Sequence, residues 1–256
     1  MAKTYTDSGI ILKRWNYKER DRMVRVLAAS KGKITCRLIS GKKLTSKLAG
    51  NCEPFMIADF FFAQSKTIDI LAGSVPTETL SNLRTDPYRY ACAGFFSELI
   101  DRLTEDNDPE PAVYEYVLSV FRIFHEEPAH VLMLTAAALQ LFVLLGYHPE
   151  LRNCVVCRNP IREEQGNQWN MAIWGVQCPR CVSQDATIRV SISSIKIIRF
   201  LLEHDVRASK SMKLSEAEWT ESFAVILAMV HYLVGQELLS ERVLLGLNWS
   251  RHSRMT

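Results

Sequence analysis

Two Cys-x-x-Cys pairs restrict the fold of this 256-residue sequence more than any other feature. The first pair is Cys154 and Cys157, the second is Cys178 and Cys181, and twenty residues separate them. Each pair places two thiolates on one tight turn, and two such turns supply the four ligands of a tetrahedral zinc ion. Four thiolates leave no position for an activated water, so the predicted site holds one structural Zn2+ ion.

The competing interpretation of these cysteines is a redox-active or vestigial set. The first twenty residues lack the apolar stretch of a secretory signal, so we expect a cytoplasmic location in which thiols stay reduced. Seven cysteines then form no disulfide framework, and the spacing favours zinc. The other three, Cys36, Cys52 and Cys92, stand singly among apolar residues and are predicted to be small core residues.

Positive charge is concentrated in the first fifty residues. They contain 13 Lys and Arg against 3 acidic residues, whereas residues 51–256 contain 18 against 25. This asymmetry is typical of a module that binds a polyanion. The longest apolar run, residues 131–145, is shorter than the roughly 18 residues that cross a bilayer, so we expect no membrane partner.

Five short β-rich runs occupy the basic part of the chain. They cover residues 8–12, 23–27, 34–39, 55–62 and 67–71. A turn at residues 30–33 joins the second run to the third as a hairpin, and Gly73 and Pro76 end the fifth. Such an arrangement predicts a small barrel of the OB-fold type, whose face and loops bind nucleic-acid strands. A small SH3-like barrel is the alternative.

The segment GKKLTSKLAG, residues 41–50, is a basic loop between the third and fourth runs. Its lysines and the cations of the preceding hairpin are predicted to contact phosphates without reading bases. These residues are Lys31, Lys33, Arg37, Lys42, Lys43 and Lys47. The alternative is a solvated connector. Trp15, Tyr17 and Tyr5 either stack on bases or pack at the rim of the core, and the sequence leaves this open.

From residue 77 onward the pattern is helical. Asp86-Pro87 and Asp108-Pro109 each predict a helix start, and Gly146 predicts a helix end. Two further helices are expected near residues 195–202 and 219–234, the second after the capping box of residues 215–218.

The predicted fold class is therefore α+β and multidomain. An N-terminal five-stranded OB-fold barrel takes residues 1–76, and an all-α domain with an inserted four-cysteine zinc module follows. The helical domain takes residues 77–149 and 188–256, and the zinc module takes residues 150–187.

Enzyme signatures are missing from the sequence. His125 and His130 are one residue too far apart for a HExxH site, and Pro128 interrupts the turn between them. The zinc deaminase pattern, a Walker A loop and a GxGxxG motif are likewise missing. We therefore predict a protein without catalytic activity.

Six motifs follow one another in a recognisable order. They are GIIL at 9–12, ERDR at 19–22, KGKI at 31–34, GKKLTSKLAG at 41–50 followed by PF at 54–55, LLGYHPELRNCVVC at 144–157 with the second CxxC after it, and YLVGQELLSERVLL at 232–245. Their order and spacing resemble the RecO family of bacterial DNA repair and recombination proteins over nearly the whole chain.

The resemblance implies a mediator that binds single- and double-stranded DNA and anneals complementary strands. With RecR it would load RecA onto strands covered by single-stranded DNA-binding protein, with RecF as a further partner and a nucleoid-associated location during repair. It also implies that the helical domain captures the acidic, aromatic-ended tail of single-stranded DNA-binding protein. The resemblance assigns no residues to that pocket, and the basic residues Arg199, Arg207 and Lys210 mark the place where we look for it. The rival function is a zinc-containing interaction adaptor that meets nucleic acid only incidentally.

Overall fold

The computed structural model describes residues 3–43, 47–162, 166–181 and 187–249, with Lys47 described by its backbone alone. The chain divides into two compact units, Met1–Glu126 and Glu127–Thr256. The first contains the barrel and the first helices, and the second contains the other helices and the cysteine pairs. The four-part division predicted above stays a prediction.

A closed five-stranded barrel forms the N-terminal part of the first unit. Its strands are β1 (Thr4–Tyr17), β2 (Asp21–Ala28), β3 (Gly32–Leu38), β4 (Ile57–Ala63) and β5 (Asp69–Glu78). They are ordered β1-β2-β3-β5-β4, and the short helix α1 (Lys47–Gly50) precedes β4. Only β3 and β5 pair in parallel among these strands. The barrel confirms the predicted OB-like architecture.

Alternation along the strands explains the barrel interior. Val24, Val26 and Ala28 of β2 point into a core that also contains Cys36 and Cys52. Period-two patterning buries one face of each strand, which is why these small and branched side chains recur at every second position. Cys92 is also buried, on a helix, so the three single cysteines are core residues as predicted.

Strand β5 is longer than predicted, because it continues through Gly73 and Pro76 to Glu78. Proline removes one ladder N–H, and it is tolerated where the pairing is irregular or one edge is open. Both conditions hold here: the register shifts beside Ala58, the partner of Pro76, and β3 pairs with β5 only at Asp69 and Ile70.

Three helices complete the first unit: α2 (Asn82–Thr85), α3 (Pro87–Leu103) and α4 (Pro111–Glu126). Asp86 caps α3 as predicted, accepting hydrogen bonds from the backbone N–H groups of Tyr88 and Arg89. The predicted start at Asp108-Pro109 is wrong, since α4 begins at Pro111. The preceding residues instead run beside β3, where the Asn107 N–H donates to the Lys33 carbonyl.

The second unit is built mainly from helices. They are α5 (Val131–Leu144), α6 (Ile192–Glu203), a 3-10 turn (Val206–Ser211), α7 (Glu216–Val234) and α8 (Leu239–Leu245). The predicted capping box forms at Ser215 and Glu218, and Gly146 follows α5 with φ of +92°, a conformation that favours glycine at a helix end. Within the described residues, no helix is long and apolar enough to cross a membrane.

A small sheet between α5 and α6 was not predicted from the sequence. It consists of β6 (Gln168–Asn170), β7 (Gly175–Gln177) and β8 (Thr187–Arg189) in the order β7-β6-β8. Strands of three residues are too short to show periodicity, so only the cysteine spacing marks this region in the sequence. We call residues 150–189 the metal module.

Candidate nucleic-acid interface and metal centre

Two loops meet at one end of the barrel and bring cations together. The backbone N–H of Lys42 donates to the Arg20 carbonyl at 3.0 Å, and its Nζ donates to the Lys18 carbonyl at 2.7 Å. These bonds join the β1–β2 turn to the loop after β3. The resulting cluster, which we call the cationic end, consists of Lys18, Arg20, Arg37, Lys42 and Lys43.

Asp21 holds the cationic end together through hydrogen bonds to Arg37 and Ser40. Its carboxylate accepts hydrogen bonds from Nε and a terminal nitrogen of Arg37, at 2.8 and 2.5 Å, and from the backbone N–H of Ser40 at 2.8 Å. The Ser40 bond, followed by the Arg37 bonds, lowers the pKa of Asp21 below its usual 3.8. The carboxylate therefore stays ionised and fixes both the Arg37 side chain and the base of the loop.

All five cations of the cationic end are exposed or half-buried. Arg37 is paired with Asp21, and the other four have no ion-pair partner within the described residues. Lys18 and Arg20 were missed in the sequence prediction. Their signal was the run KER in the turn between two strands, which places side chains beside any neighbouring loop. The side chain of Lys47, a predicted contact, lies outside the described residues.

Lys31 and Lys33 lie at the other end of the hairpin. Gly32 and Leu38 are the two ends of β3, and a strand rise of about 3.4 Å per residue separates them by about 20 Å. Lys31 is exposed, with its Nζ 4.4 Å from the Tyr5 ring centre. The structure therefore does not gather the six predicted contacts into one patch.

Lys33 is a structural residue rather than an accessible cation. Its side chain is 3% exposed, and its Nζ donates to the carbonyls of Asp101 and Thr104 at 2.5 Å each. These carbonyls belong to the C-terminal end of α3, where a cation complements unpaired oxygens and the helix dipole. We therefore leave Lys33 out of the proposed contact surface.

The four paired cysteines converge on one point, as predicted. Their Sγ atoms all lie within 4.8 Å of one another, and those of Cys157 and Cys178 are 3.9 Å apart. A tetrahedral zinc ion with Zn–S bonds of about 2.3 Å holds its sulfurs about 3.8 Å apart. The donor set therefore fits Zn2+, with Cys154 and Cys178 buried and Cys157 exposed.

Without a cation the clustered thiols ionise unequally. Burial opposes ionisation of Cys154, but hydrogen bonds from the backbone N–H groups of Cys157, Cys178 and Val156 lower its pKa from 9.0 to about 6. A hydrogen bond with Cys157, followed by burial, raises the pKa of Cys181 to about 12. Four thiolates so close together repel one another, and a divalent cation is what allows all four to ionise.

The metal module packs against helices α5 and α6 of its own unit. The Trp174 ring lies 5.9 Å from that of Phe142 on α5 and 4.8 Å from that of Tyr147. On the side of α6, Arg199 donates to the Leu151 carbonyl at 2.8 Å. The cysteine cluster thus closes a segment that packs against two helices, which is the arrangement of a structural site.

Two protein-family models match this chain. "Recombination protein O N terminal" covers residues 1–79, and "Recombination protein O C terminal" covers residues 84–242. The chain belongs to the RecO family. In this RecO protein the cationic end lies within the N-terminal match, and all four clustered cysteines lie within the C-terminal match.

Curated relatives support the assignment to RecO along most of the chain. The DNA repair protein RecO of Roseiflexus sp. (strain RS-1) is 27% identical over 237 residues, which cover 92% of this chain and 83% of the relative. That of Bacillus subtilis (strain 168) is 24% identical over 245 residues, covering 95% of each chain. That of Dehalococcoides mccartyi (strain ATCC BAA-2266 / KCTC 15142 / 195) is 25% identical over 229 residues, covering 90% of each.

Proposed function

We propose that this RecO protein is a non-enzymatic mediator of DNA repair and recombination. It binds single- and double-stranded DNA, anneals complementary strands and, with RecR, helps load RecA onto strands covered by single-stranded DNA-binding protein; RecF is a further partner. The observation that carries the proposal is the cationic end, where two loops present Lys18, Arg20, Lys42 and Lys43, none of which forms an ion pair among the described residues.

The physical basis of annealing is charge neutralisation. Two DNA strands repel each other through their phosphates, and cations that neutralise phosphates reduce this repulsion while releasing counterions. Base pairing then supplies the free energy, so no nucleotide needs to be hydrolysed. Contacts through lysine ammonium groups carry no base information, so we propose binding with little sequence preference.

Charge reversal at the loop tests this proposal. We expect Lys42→Glu, Lys43→Glu to weaken binding of a single-stranded oligonucleotide at least roughly tenfold. Loss of two phosphate contacts should also reduce the slope of log affinity against log salt by about 1.4, at about 0.7 for each contact to a single strand. The measurement is a salt titration by fluorescence anisotropy on the parent and the variant.

A matched control separates the two ends of the barrel. Lys3→Glu, Lys66→Glu makes the same change of charge beside the opposite end of β1, where the Gln64 N–H donates to the Lys3 carbonyl. This control should retain the parent slope. Identical slopes for the parent and the Lys42, Lys43 variant, with unchanged thermal melting, would contradict the proposal and favour the adaptor function.

A groove in the second unit is the proposed site for the acidic tail of single-stranded DNA-binding protein. It has a volume of 440 Å³ and is lined by the cationic Lys210 and Lys213 and by the apolar Met212 and Leu214. Lysines beside an apolar surface suit a peptide that ends in acidic and aromatic residues. Lys210 is paired with Glu127 at 2.7 Å, whereas Lys213 has no ion-pair partner among the described residues.

The groove is tested with a synthetic peptide of acidic residues ending in phenylalanine. We expect Lys213→Glu to weaken peptide binding at least about fivefold, because a charge that repels the acidic peptide replaces one that attracts it. Isothermal titration calorimetry measures the affinity, and Lys66→Glu on the barrel is the control. Equal affinity of the parent and Lys213→Glu would place the peptide elsewhere.

A further inference from the structure

The outer face of β1, β2 and β3 carries an ordered array of side chains. A bulge between Ile11 and Lys13 sets the alternation of β1 so that Lys13, Trp15 and Tyr17 point outward. In the strand register Trp15 lies opposite Met23, and Met23 lies opposite Arg37. Trp15 and Arg37 are therefore two strand spacings apart on one face, about 10 Å between backbones.

Helix α3 covers one end of this face, and Met23, between Trp15 and Arg37, is also buried. The Ser97 hydroxyl donates to the Leu12 carbonyl, and Asp101 pairs with Lys13 at 2.6 Å and with Arg25 at 2.7 Å. Beyond these contacts Trp15 remains 40% exposed. A large aromatic side chain with this exposure on a regular strand is not part of the barrel core, whose residues point the other way.

Cations surround the two aromatic rings. Lys13 Nζ lies 5.4 Å from the Trp15 ring centre, while Lys18 Nζ and the Arg37 guanidinium lie 5.4 and 5.8 Å from that of Tyr17. Lys18 and Arg37 also belong to the cationic end. The aromatic face and the proposed phosphate-binding surface are therefore continuous. Together they complement a ligand strand that has planar apolar rings on one side and regularly spaced anions on the other.

We propose that Trp15 and Tyr17 form a base-stacking site that binds the unpaired bases of a single nucleic-acid strand whose phosphates lie on the cationic end. This inference rests on the proposed function and names the preferred substrate class, the unpaired strand. Bases in a duplex are stacked on one another and do not offer their faces to a protein ring. The cationic end accepts single strands and duplexes alike, whereas the aromatic face discriminates between them.

Three ligands of equal length separate stacking from phosphate binding: a thymine oligonucleotide, its duplex with the adenine strand, and an abasic strand. The abasic strand keeps the phosphates and removes the bases. We expect Trp15→Ala to weaken binding of the thymine strand roughly tenfold, as stacking on one ring is worth this much. Binding of the duplex and of the abasic strand should stay unchanged. The salt slope should also stay unchanged, because stacking releases no phosphate counterions.

Two further variants sharpen the comparison. Phe61→Ala removes another exposed aromatic ring, 43% exposed on β4 of the same barrel, and should leave all three affinities at the parent values. Trp15→Phe retains a ring and should recover much of the lost affinity. In addition, the thymine strand should quench the tryptophan fluorescence of the parent and not that of Trp15→Phe, although this variant keeps the other four of the five tryptophans.

The outcomes distinguish this inference from the proposed function. If Lys42→Glu, Lys43→Glu weakens binding of all three ligands while Trp15→Ala weakens none, the phosphate surface stands and the stacking site is refuted. If Trp15→Ala weakens all three ligands equally, the ring supports the fold or the cations, and the inference also fails. If the parent binds none of the ligands, the proposed function itself fails, and this inference fails with it.

Discussion

Cys154→Ser is expected to reduce the zinc content from one ion per chain to nearly none. Four thiolates define the tetrahedral site, and serine supplies no comparable ligand. Structural zinc contributes about 10–16 kcal/mol to the folding of small zinc modules at neutral pH, so loss of the ion should unfold the metal module. The measurement is zinc by plasma emission spectroscopy on purified protein, together with thermal melting.

The effect should remain local to the second unit at first. Cys178 donates its backbone N–H to Cys154 Sγ at 3.4 Å, and Trp174 rests on Phe142 of α5, so α5 and α6 lose one packed surface when the module opens. Hydrogen exchange should therefore increase in residues 150–189 and at the ends of these helices. Prolonged treatment of the parent with a chelator should reproduce the same pattern.

Cys52→Ala is the control for this experiment. Cys52 is buried in the barrel core, where burial raises the pKa of its thiol to about 12, and it lies outside the cysteine cluster. The variant should therefore keep one zinc ion per chain even if the barrel loses some stability. A parent protein without zinc, or a Cys154→Ser variant that melts like the parent, would show that the cluster is not a structural metal site.

Local sequence signals predicted those features that depend on a few neighbouring residues. Asp86 before Pro87, the Ser215–Glu218 capping box and Gly146 after α5 each act through hydrogen bonds or φ angles within one turn of helix. The cysteine cluster was predictable for a similar reason, because the ligand geometry of a metal fixes the spacing within each pair. These features do not depend on contacts with distant parts of the chain.

Contacts between distant segments explain the predictions that failed or fell short. The sequence DPEP offers two prolines as helix starts, and the choice of Pro111 depends on the preceding residues lying beside β3. Lys33 sits in a Lys-Gly-Lys turn that looks exposed, and it is buried because Asp101, 68 residues later, ends up against it. In the same way Lys42 meets Lys18 only because β2 pairs with β3, with Arg22 opposite Leu38, so that the loop after β3 lies beside the β1–β2 turn.

Asp101→Asn is expected to destabilise the first unit by about 3 kcal/mol. The Asp101 carboxylate is buried and faces three cations: Lys13 at 2.6 Å, Arg25 at 2.7 Å and Lys33 at 3.6 Å. Breaking a buried ion pair by removing one partner costs about 3–5 kcal/mol. Asp106 also pairs with Arg25 at 2.9 Å and with Lys33 at 3.5 Å and compensates part of their charge, so the expected loss lies at the low end of this range. Urea unfolding, with hydrogen exchange of β2 and β3 as the local readout, measures the loss.

A surface pair in the second unit provides the control. Arg152 and Glu203 lie 2.7 Å apart with side chains 66% and 50% exposed, and exposed pairs contribute only about 0.2–1 kcal/mol. Glu203→Gln should therefore change stability little. The double variant Lys33→Met, Asp101→Asn lacks the buried ammonium as well as the carboxylate. Its loss of unfolding free energy should therefore be smaller than the sum of the losses of the two single variants.

The pH dependence of the stability lost in Asp101→Asn shows whether the charge of Asp101 or its packing is responsible. Burial of Asp101 opposes its ionisation, but the hydrogen bonds from Lys13 and Arg25 outweigh burial and lower its pKa below 3.8. A carboxylate with a depressed pKa in the folded state stabilises the protein above its unfolded pKa and loses this contribution as the pH falls through the folded pKa. The difference in unfolding free energy between the parent and Asp101→Asn should thus be constant near neutral pH and shrink below pH 3.8. A difference of the same size at acid pH would mean that the amide disturbs packing, and that the three cations do not depend on this charge.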